Sequence, residues 1–296
     1  MSTEIHRVDS SRASEVLGVI HQAFANRPAL DPPATALEET VETVGRALDE
    51  HGGLLVTHDG KPVGALLLDP RGRLLGLRRV GVLSDVRGLG VAAQLASRAR
   101  EIAADEGYTG LEIEARVELP QTVRFWRNLG FVESHREGNR LLMLRLLPTR
   151  VTLTSREDTY ELGRSLAALL QAGDLLILTG DLGAGKTTLT QGLGEGLGVR
   201  GAVTSPTFVI ARVHRSRGIG PSLVHVDAYR LGDAAELDDL DLDTDIEEAV
   251  TVVEWGGGLA ETLATDRLEL DLHRRDDDVR ELVITPIGPR WREFEL

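Results

Sequence analysis

The chain has 296 residues, 42% of them hydrophobic, which is enough material for two cores of ordinary domain size. Its formal net charge of −14 speaks against a general nucleic-acid binder, because neutralising phosphates needs clustered Lys and Arg; an RNA pathway reached through a protein partner stays open. Cysteine is absent, which excludes disulfides, thiolate metal sites and a thiol nucleophile, and there is neither an apolar opening segment nor an apolar run of about 18 residues, so the expectation is a soluble cytoplasmic protein with no membrane partner.

In chain order, 5–8 reads as a short strand, 12–25 as a helix, the proline-rich 26–34 as a loop and 37–49 as a second helix with apolar spacing near 3.6. Segments 53–57 and 62–68 are strands joined by His58-Asp59-Gly60-Lys61, where Asp-Gly signals a hairpin. A longer strand, 74–83, runs into the glycine-rich turn 85–92 and then a helix to about Glu106. Residues 110–116 alternate as a strand, 122–129 form a helix, and 130–133 and 140–146 close as strands. The turn Arg87-Gly88-Leu89-Gly90-Val91-Ala92 offers backbone N–H groups to a pyrophosphate, although many strand-to-helix turns carry such glycines for purely structural reasons.

That element order, the turn and the run Phe125-Trp126-Arg127-Asn128-Leu129-Gly130-Phe131 together resemble the GCN5-related N-acetyltransferase (GNAT) family over about 4–147. The resemblance implies that Val82, Val86, Arg87, Gly88, Leu89, Gly90, Val91 and Ala92 hold acetyl-CoA, with the thioester between strands 74–83 and 110–116. Many members have a tyrosine that protonates the leaving thiolate where this chain has Trp126, and an indole cannot serve as that acid. Glu112 and Glu114 share one strand face and are candidate bases or plain solvated carboxylates. The acetyl acceptor is not legible.

Pro148-Thr149-Arg150 separates two apolar runs, which places a domain boundary there, with domains 1–148 and 149–296. Beyond it, 151–154 reads as a strand, and Ser155 with Asp158 as a capping box opening a helix to Leu170. Next comes LLILTGDLGAGKTT at 175–188, four apolar residues running into G-x-x-x-x-G-K-T. Glycines at 180, 183 and 185 let the backbone curl its N–H groups toward an anion, and the following helix adds its positive end. Lys186 suits the β- and γ-phosphates and the Thr187 hydroxyl suits Mg²⁺. The chain has only two lysines, Lys61 and Lys186, so a lysine here stands out from an arginine-rich background. After the helix 188–197, strands 223–227 and 250–254 each run apolar residues into an acid, Asp227 and Glu254, and either acid suits the metal shell.

GDLGAGKTT, Ser205-Pro206-Thr207-Phe208, His225-Val226-Asp227-Ala228-Tyr229-Arg230-Leu231 and Val253-Glu254-Trp255 in this order resemble the TsaE family, the ATPase of bacterial tRNA threonylcarbamoyladenosine synthesis, over about 153–284. The resemblance implies ATP, Mg²⁺ and a nucleotide site made by Thr159, Gly180, Asp181, Leu182, Gly183, Ala184, Gly185, Lys186, Thr187, Thr188, Thr207 and Trp255. The same resemblance gives Lys186, Asp227 and Glu254 the catalytic role and Thr187, Glu254 and Asp227 the metal, with the segment around Thr207 as a nucleotide-sensing switch. It also implies a threonylcarbamoyltransferase complex with TsaD and TsaB type subunits as partner, and tRNA indirectly. The phosphate loop alone leaves open a small-molecule or protein kinase fused to an acetyl-CoA sensor, or a regulatory binder without turnover. Nine acids without Lys or Arg between Asp233 and Glu248 read as a solvated face or a contact for a basic partner, and the tail carries one expected strand, 281–285. The expected fold class is α/β in two domains, a GNAT-like mixed sheet followed by a P-loop NTPase.

Overall fold

A computed structural model of the chain describes residues 2–28, 30–86, 88–206, 210–231, 236, 248–275 and 279–296. Its contacts divide into two units, Met1–Leu147 and Pro148–Leu296.

The first unit is built in the order β1 (Thr3–Val8), α1 (Ala13–Ala25), α2 (Val41–His51), β2 (Gly53–His58), β3 (Lys61–Arg71), β4 (Leu74–Val82), α3 (Val91–Asp105), β5 (Gly110–Arg116), α4 (Pro120–Asn128), β6 (Val132–Glu137) and β7 (Arg140–Leu146). The strands form one seven-stranded sheet in the order β1-β2-β3-β4-β5-β7-β6. Both faces are covered, which is why β2 and β3 read as nearly unbroken apolar runs. Leu55, Ala65 and Leu67 pack against Val16 and Ile20 of α1 and Leu48 of α2. Their neighbours Leu54, Leu66 and Leu68 face the opposite way, against Leu95 and Ile102 of α3 and Trp126 of α4. The second helix starts later than its apolar spacing suggests. Thr40 and Thr43 close a reciprocal capping box, so α2 begins at Val41, and Thr35–Glu38 is a separate 3-10 turn.

One irregularity shapes this sheet. β4 and β5 pair in parallel only from Leu74–Gly110 to Leu77–Ile113, although β4 continues to Val82 and β5 to Arg116. On its other side β4 bulges against β3, with the register shifting between Ala65 and Leu67, and Arg79 takes a left-handed φ of 54°. The bulge bends β4 away, and the two strands part.

The second unit runs β8 (Thr149–Leu153), α5 (Arg156–Leu166), β9 (Leu175–Thr179), α6 (Lys186–Gly196), β10 (Ala211–His214), β11 (Ser222–Asp227), β12 (Ala249–Glu254), β13 (Arg267–Arg274) and β14 (Arg280–Ile287). Its seven-stranded sheet has the order β10-β11-β12-β9-β13-β14-β8, with β11, β12, β9 and β13 mutually parallel. The capping box of Ser155 and Asp158 forms, each backbone N–H donating to the other side chain at 3.0 Å. Two expectations need correction. The strand expected at 151–154 starts two residues earlier, because Thr149 and Arg150 already pair with Ile284 and Val283 in β8. The tail holds two strands rather than one, because β13 alternates Leu268, Leu270 and Leu272 inward with polar residues outward.

α5 and α6 meet backbone to backbone. A Cβ on Gly192 would stand 2.0 Å from the Tyr160 carbonyl oxygen, and one on Gly163 2.2 Å from that of Leu189. Glycine at both positions is what lets the helices close to this distance.

Candidate functional sites

β9 delivers the chain to the carboxyl edge of the second sheet, where residues 180–185 turn back into α6. Gly180 (φ 127°) lies so near β13 that a Cβ there would sit 2.1 Å from the Leu272 carbonyl oxygen, and Gly185 (φ 115°) precedes the first helical residue, Lys186. Leu182 is 90% exposed and Asp181 and Gly183 are exposed as well, so these residues line the loop with backbone. Ala184 is buried, and its carbonyl accepts from Arg280 Nε of β14 at 3.0 Å. Thr188 lies half-buried in the first turn of α6.

Lys186 is almost fully buried. Its Nζ donates to the carbonyls of Gly180 (2.7 Å) and Asp181 (2.9 Å) and stands 3.7 Å from the centre of the Trp255 ring. Burial pulls the ammonium below its ordinary pKa, while Glu254, Asp227 and Asp181 act in the opposite direction. Trp255 follows β12 with a left-handed φ of 62° and tilts against Tyr229, their ring centres 5.2 Å apart.

Asp227 and Glu254 end adjacent parallel strands in direct register. Glu254, 3% exposed, accepts from Thr187 Oγ1 (3.2 Å) through Oε2, and Thr190 Oγ1 (3.4 Å) and His225 Nε2 (2.9 Å) reach Oε1. Asp227 accepts from the Tyr229 backbone N–H at 3.1 Å and from Ser205 Oγ at 3.3 Å. The structure thus brings Lys186, Thr187, Asp227, Glu254 and Trp255 to one edge. Thr159 of α5, buried, is carried there by the α5–α6 glycine contact, and its Cγ2 would lie 3.6 Å from a Cβ on Gly185. Thr207 and most of the acidic segment 233–248 lie outside the described residues.

Hard oxygen donors are what Mg²⁺ selects, and it takes one or two carboxylates together with nucleotide oxygens rather than a closed protein cage. Thr187 with Glu254 and Asp227 fits that demand, and the described residues hold no cluster of three or more His, Cys, Asp or Glu.

His225 was not singled out from sequence. It is wholly buried, and its Nε2 must carry the proton that the Glu254 carboxylate accepts. The signal was present: in Leu-Val-His-Val-Asp, period-two alternation puts His225 on the same strand face as Asp227.

In the first unit the parting of β4 and β5 opens a cleft of about 1060 Å³. Val82 and Ala92 line it, so both ends of the glycine turn reach it. Val86 and Val91 are core residues, leaving only their backbone for a ligand. Gly88 (φ 85°), Leu89 and Gly90 (φ 72°) are exposed ahead of α3, and Arg87 lies outside the described residues. Glu112 and Glu114 both line the cleft but differ in setting. Glu112 is 2% exposed and paired with Arg71 Nη1 at 3.1 Å, whereas Glu114 is exposed with Arg140 at 3.6 Å. Trp126 is 4% exposed and edge-packed between Phe125 and Phe131, a core position.

No helix of the described residues is long and apolar enough to cross a membrane. The family model of threonylcarbamoyl adenosine biosynthesis protein TsaE matches residues 153–282, and that of the acetyltransferase (GNAT) family matches 21–131. A tRNA threonylcarbamoyladenosine biosynthesis protein TsaE from Streptomyces coelicolor is 64% identical over 141 residues, 46% of this chain and 95% of that protein. The protein of the same description from Bacillus subtilis is 43% identical over 136 residues, 46% of this chain and 84% of its own. The solved PaiA N-acetyltransferase of Thermoplasma acidophilum, in complex with coenzyme A, is 14% identical, with a TM-score of 0.45 over 50% of this chain and 100% of that one. The two family models and the Streptomyces relative make the chain a member of the TsaE family through its C-terminal half, joined to an N-terminal domain that matches the GNAT family model.

Proposed function

We propose that the C-terminal half, 149–296, binds ATP with Mg²⁺ and hydrolyses it in support of tRNA threonylcarbamoyladenosine formation, and that the N-terminal half, 1–148, transfers the acetyl group of acetyl-CoA to an amine. The observation that carries the first part is the contact of Thr187 with Glu254 beneath a phosphate loop whose lysine is already in place. The loop amides and Lys186 hold the phosphates, with Thr159, Thr188, Thr207 and Trp255 around the nucleotide. Thr187 and Glu254 hold the metal, and Asp227 stands beside them at the reacting end. When bound, Mg²⁺ supplies positive charge to the phosphate oxygens. Glu254 presents its carboxylate in a fixed orientation because His225 and Thr190 hold one oxygen while Thr187 meets the other. Lys186 exchanges the carbonyls of Gly180 and Asp181 for phosphate oxygens, so its already buried ammonium gains an anionic partner.

The reading includes a cytoplasmic setting and a threonylcarbamoyltransferase complex of TsaD and TsaB type subunits as partner, with tRNA reached through that complex. The full chain alone is expected to hydrolyse ATP slowly and to speed up several-fold when the complex is added. Phosphate release followed with and without the complex checks this; an unchanged rate together with a phosphorylated acceptor turns the reading toward a kinase.

In the N-terminal half the amine nitrogen bonds to the acetyl carbonyl carbon, the carbon–sulfur bond breaks, and the thiolate leaves with that electron pair and takes up the proton the nitrogen releases. The stretch of β4 beyond Leu77, no longer paired with β5, turns backbone toward the cleft to polarise the carbonyl, and the 86–92 turn, with Val82 beside it, meets the pyrophosphate at the start of α3. Trp126, enclosed by Phe125 and Phe131, takes no part in proton transfer. Gly90→Glu is expected to fold and to lose acetyl-CoA binding. Nothing lies within 4 Å of a Cβ there, so the side chain has room; the left-handed φ of 72° costs a non-glycine residue about 1–2 kcal/mol, which a folded unit absorbs, and the carboxylate repels the pyrophosphate. Calorimetric titration showing wild-type affinity in that variant overturns the cofactor site.

A further inference from the structure

Among the described residues six arginines line the N-terminal cleft, and they are not equivalent. Arg71 pairs with Asp69 (2.9 Å) and Glu112 (3.1 Å), Arg79 with Glu39 (2.8 Å), and Arg116 with Glu118 (2.6 Å). Arg78 and Arg140 stand 3.9 and 3.6 Å from Glu39 and Glu114. Arg27 differs from all of them. Its guanidinium lies over the Phe24 ring at 3.6 Å, and Nη2 donates to the Val80 carbonyl at 3.0 Å. Among the described residues no carboxylate comes within ion-pair distance of it. A guanidinium has five N–H bonds. One is used on Val80, so four remain without an acceptor among the described residues. Burial with no compensating charge pushes Arg27 down to about 10, which still leaves it a cation at neutral pH.

Its position gives this cation a use. Val80 belongs to the stretch of β4 beyond Leu77, where pairing with β5 has ended and the bulge has taken the strand out of register. Arg27 follows α1, which packs on one face of the sheet, whereas α3 with its glycine turn packs on the other. A cofactor held by that turn therefore enters from the α3 side, and Arg27 meets whatever reaches the opening from the α1 side. We propose that Arg27 docks an anionic oxygen group, a carboxylate or a phosphate, carried by the amine that accepts the acetyl group. The planar fork, held flat by Phe24 and pinned by Val80, presents its remaining N–H bonds in the geometry that such a group accepts in pairs. This inference rests on the acetyl-transfer reading of the cleft and narrows its acceptor to amines bearing a negative charge.

The test uses the full chain and three measurements. Calorimetry gives the acetyl-CoA affinity. Thiol release compares matched amines that differ only in charge, an α-amino acid against its carboxamide and O-phosphoethanolamine against ethanolamine. Phenylglyoxal labelling, mapped by peptide mass, reports whether each amine shields Arg27. The expected result is a kcat/KM for one charged amine roughly tenfold or more above its neutral partner, a size typical of hydrogen bonds to a charged group. Arg27→Gln removes that preference, Arg27→Lys keeps part of it, and acetyl-CoA affinity stays within about twofold in both, the bound being well under one charged hydrogen bond. The charged amine alone shields Arg27 from phenylglyoxal, and the pair that responds tells carboxylate from phosphate. Equal rates and equal shielding within both pairs overturn the proposal. So does a loss of acetyl-CoA affinity in Arg27→Gln, which places the arginine on the cofactor instead. A wild-type chain that binds no acetyl-CoA, with shielding by the charged amine intact, removes the acetyl-transfer reading and leaves an anion site at Arg27.

Discussion

Glu254→Gln is expected to lower ATP hydrolysis by on the order of a hundredfold or more, while nucleotide binding without Mg²⁺ stays close to normal. The carboxylate is 3% exposed, and its two oxygens are met by Thr187 on one side and by His225 and Thr190 on the other. The amide of glutamine has nearly the same shape but offers one neutral oxygen where the carboxylate offers two charged ones, so the ion loses its partner and the fold keeps its packing. Thr187→Ala should behave in the same way, because its hydroxyl serves the same ion. Lys186→Ala should not. Its ammonium meets phosphate in the ground state as well as in the transition state, so binding and hydrolysis fall together. Steady-state ATPase rates and nucleotide titrations of the three variants, with Mg²⁺ varied, separate the two behaviours. If Glu254→Gln hydrolyses ATP like wild type at every Mg²⁺ concentration, Glu254 leaves the metal site and Asp227, in register beside it, takes its place.

Gly192→Leu is expected to destabilise the second unit by about 3 kcal/mol or more, at the upper end of what overpacking usually costs. The group in the way is the Tyr160 carbonyl of α5, 2.0 Å from the new Cβ, and a helix backbone cannot rotate aside as a side chain does. The midpoint of the unit's unfolding should fall by roughly 10 °C. Nucleotide affinity should fall too, because α5 carries Thr159 to the phosphate loop and the helices must separate to admit the leucine. Gly218→Ala is the control, since a Cβ there meets nothing within 4 Å. Differential scanning calorimetry of the full-length variants reads both. A Gly192→Leu protein that melts where wild type does would show that the close approach of α5 and α6 is not what holds them.

The parts of this protein written in consecutive residues were legible before any coordinates. The 180–187 loop is such a part, because the φ angles of Gly180 and Gly185 and the helix start at Lys186 are local consequences of glycine placement. Asp227 and Glu254 were legible for a related reason. A strand buried on both faces advertises itself as an apolar run, and a parallel sheet sends its strand ends to one edge. The strand at 267–274 is equally present as alternation of leucine with charge, a weaker signal because the mixed charge of the tail surrounds it. Other features have no local signature. That His225 holds Glu254, that Arg280 reaches Ala184, and that Gly192 lies against Tyr160 depend on which strands and helices become neighbours. The same holds for the N-terminal cleft. Composition lists many arginines, but only the bulge in β4, the end of its pairing with β5 and the packing of α1 decide that, among the described residues, Arg27 is the cleft arginine that stands there without a carboxylate. Sequence determines what a residue is able to donate or accept, and local order determines how its backbone turns. Which of those donors is left unpaired is settled by contacts between residues far apart in the chain, and these exist only once the sheets have formed.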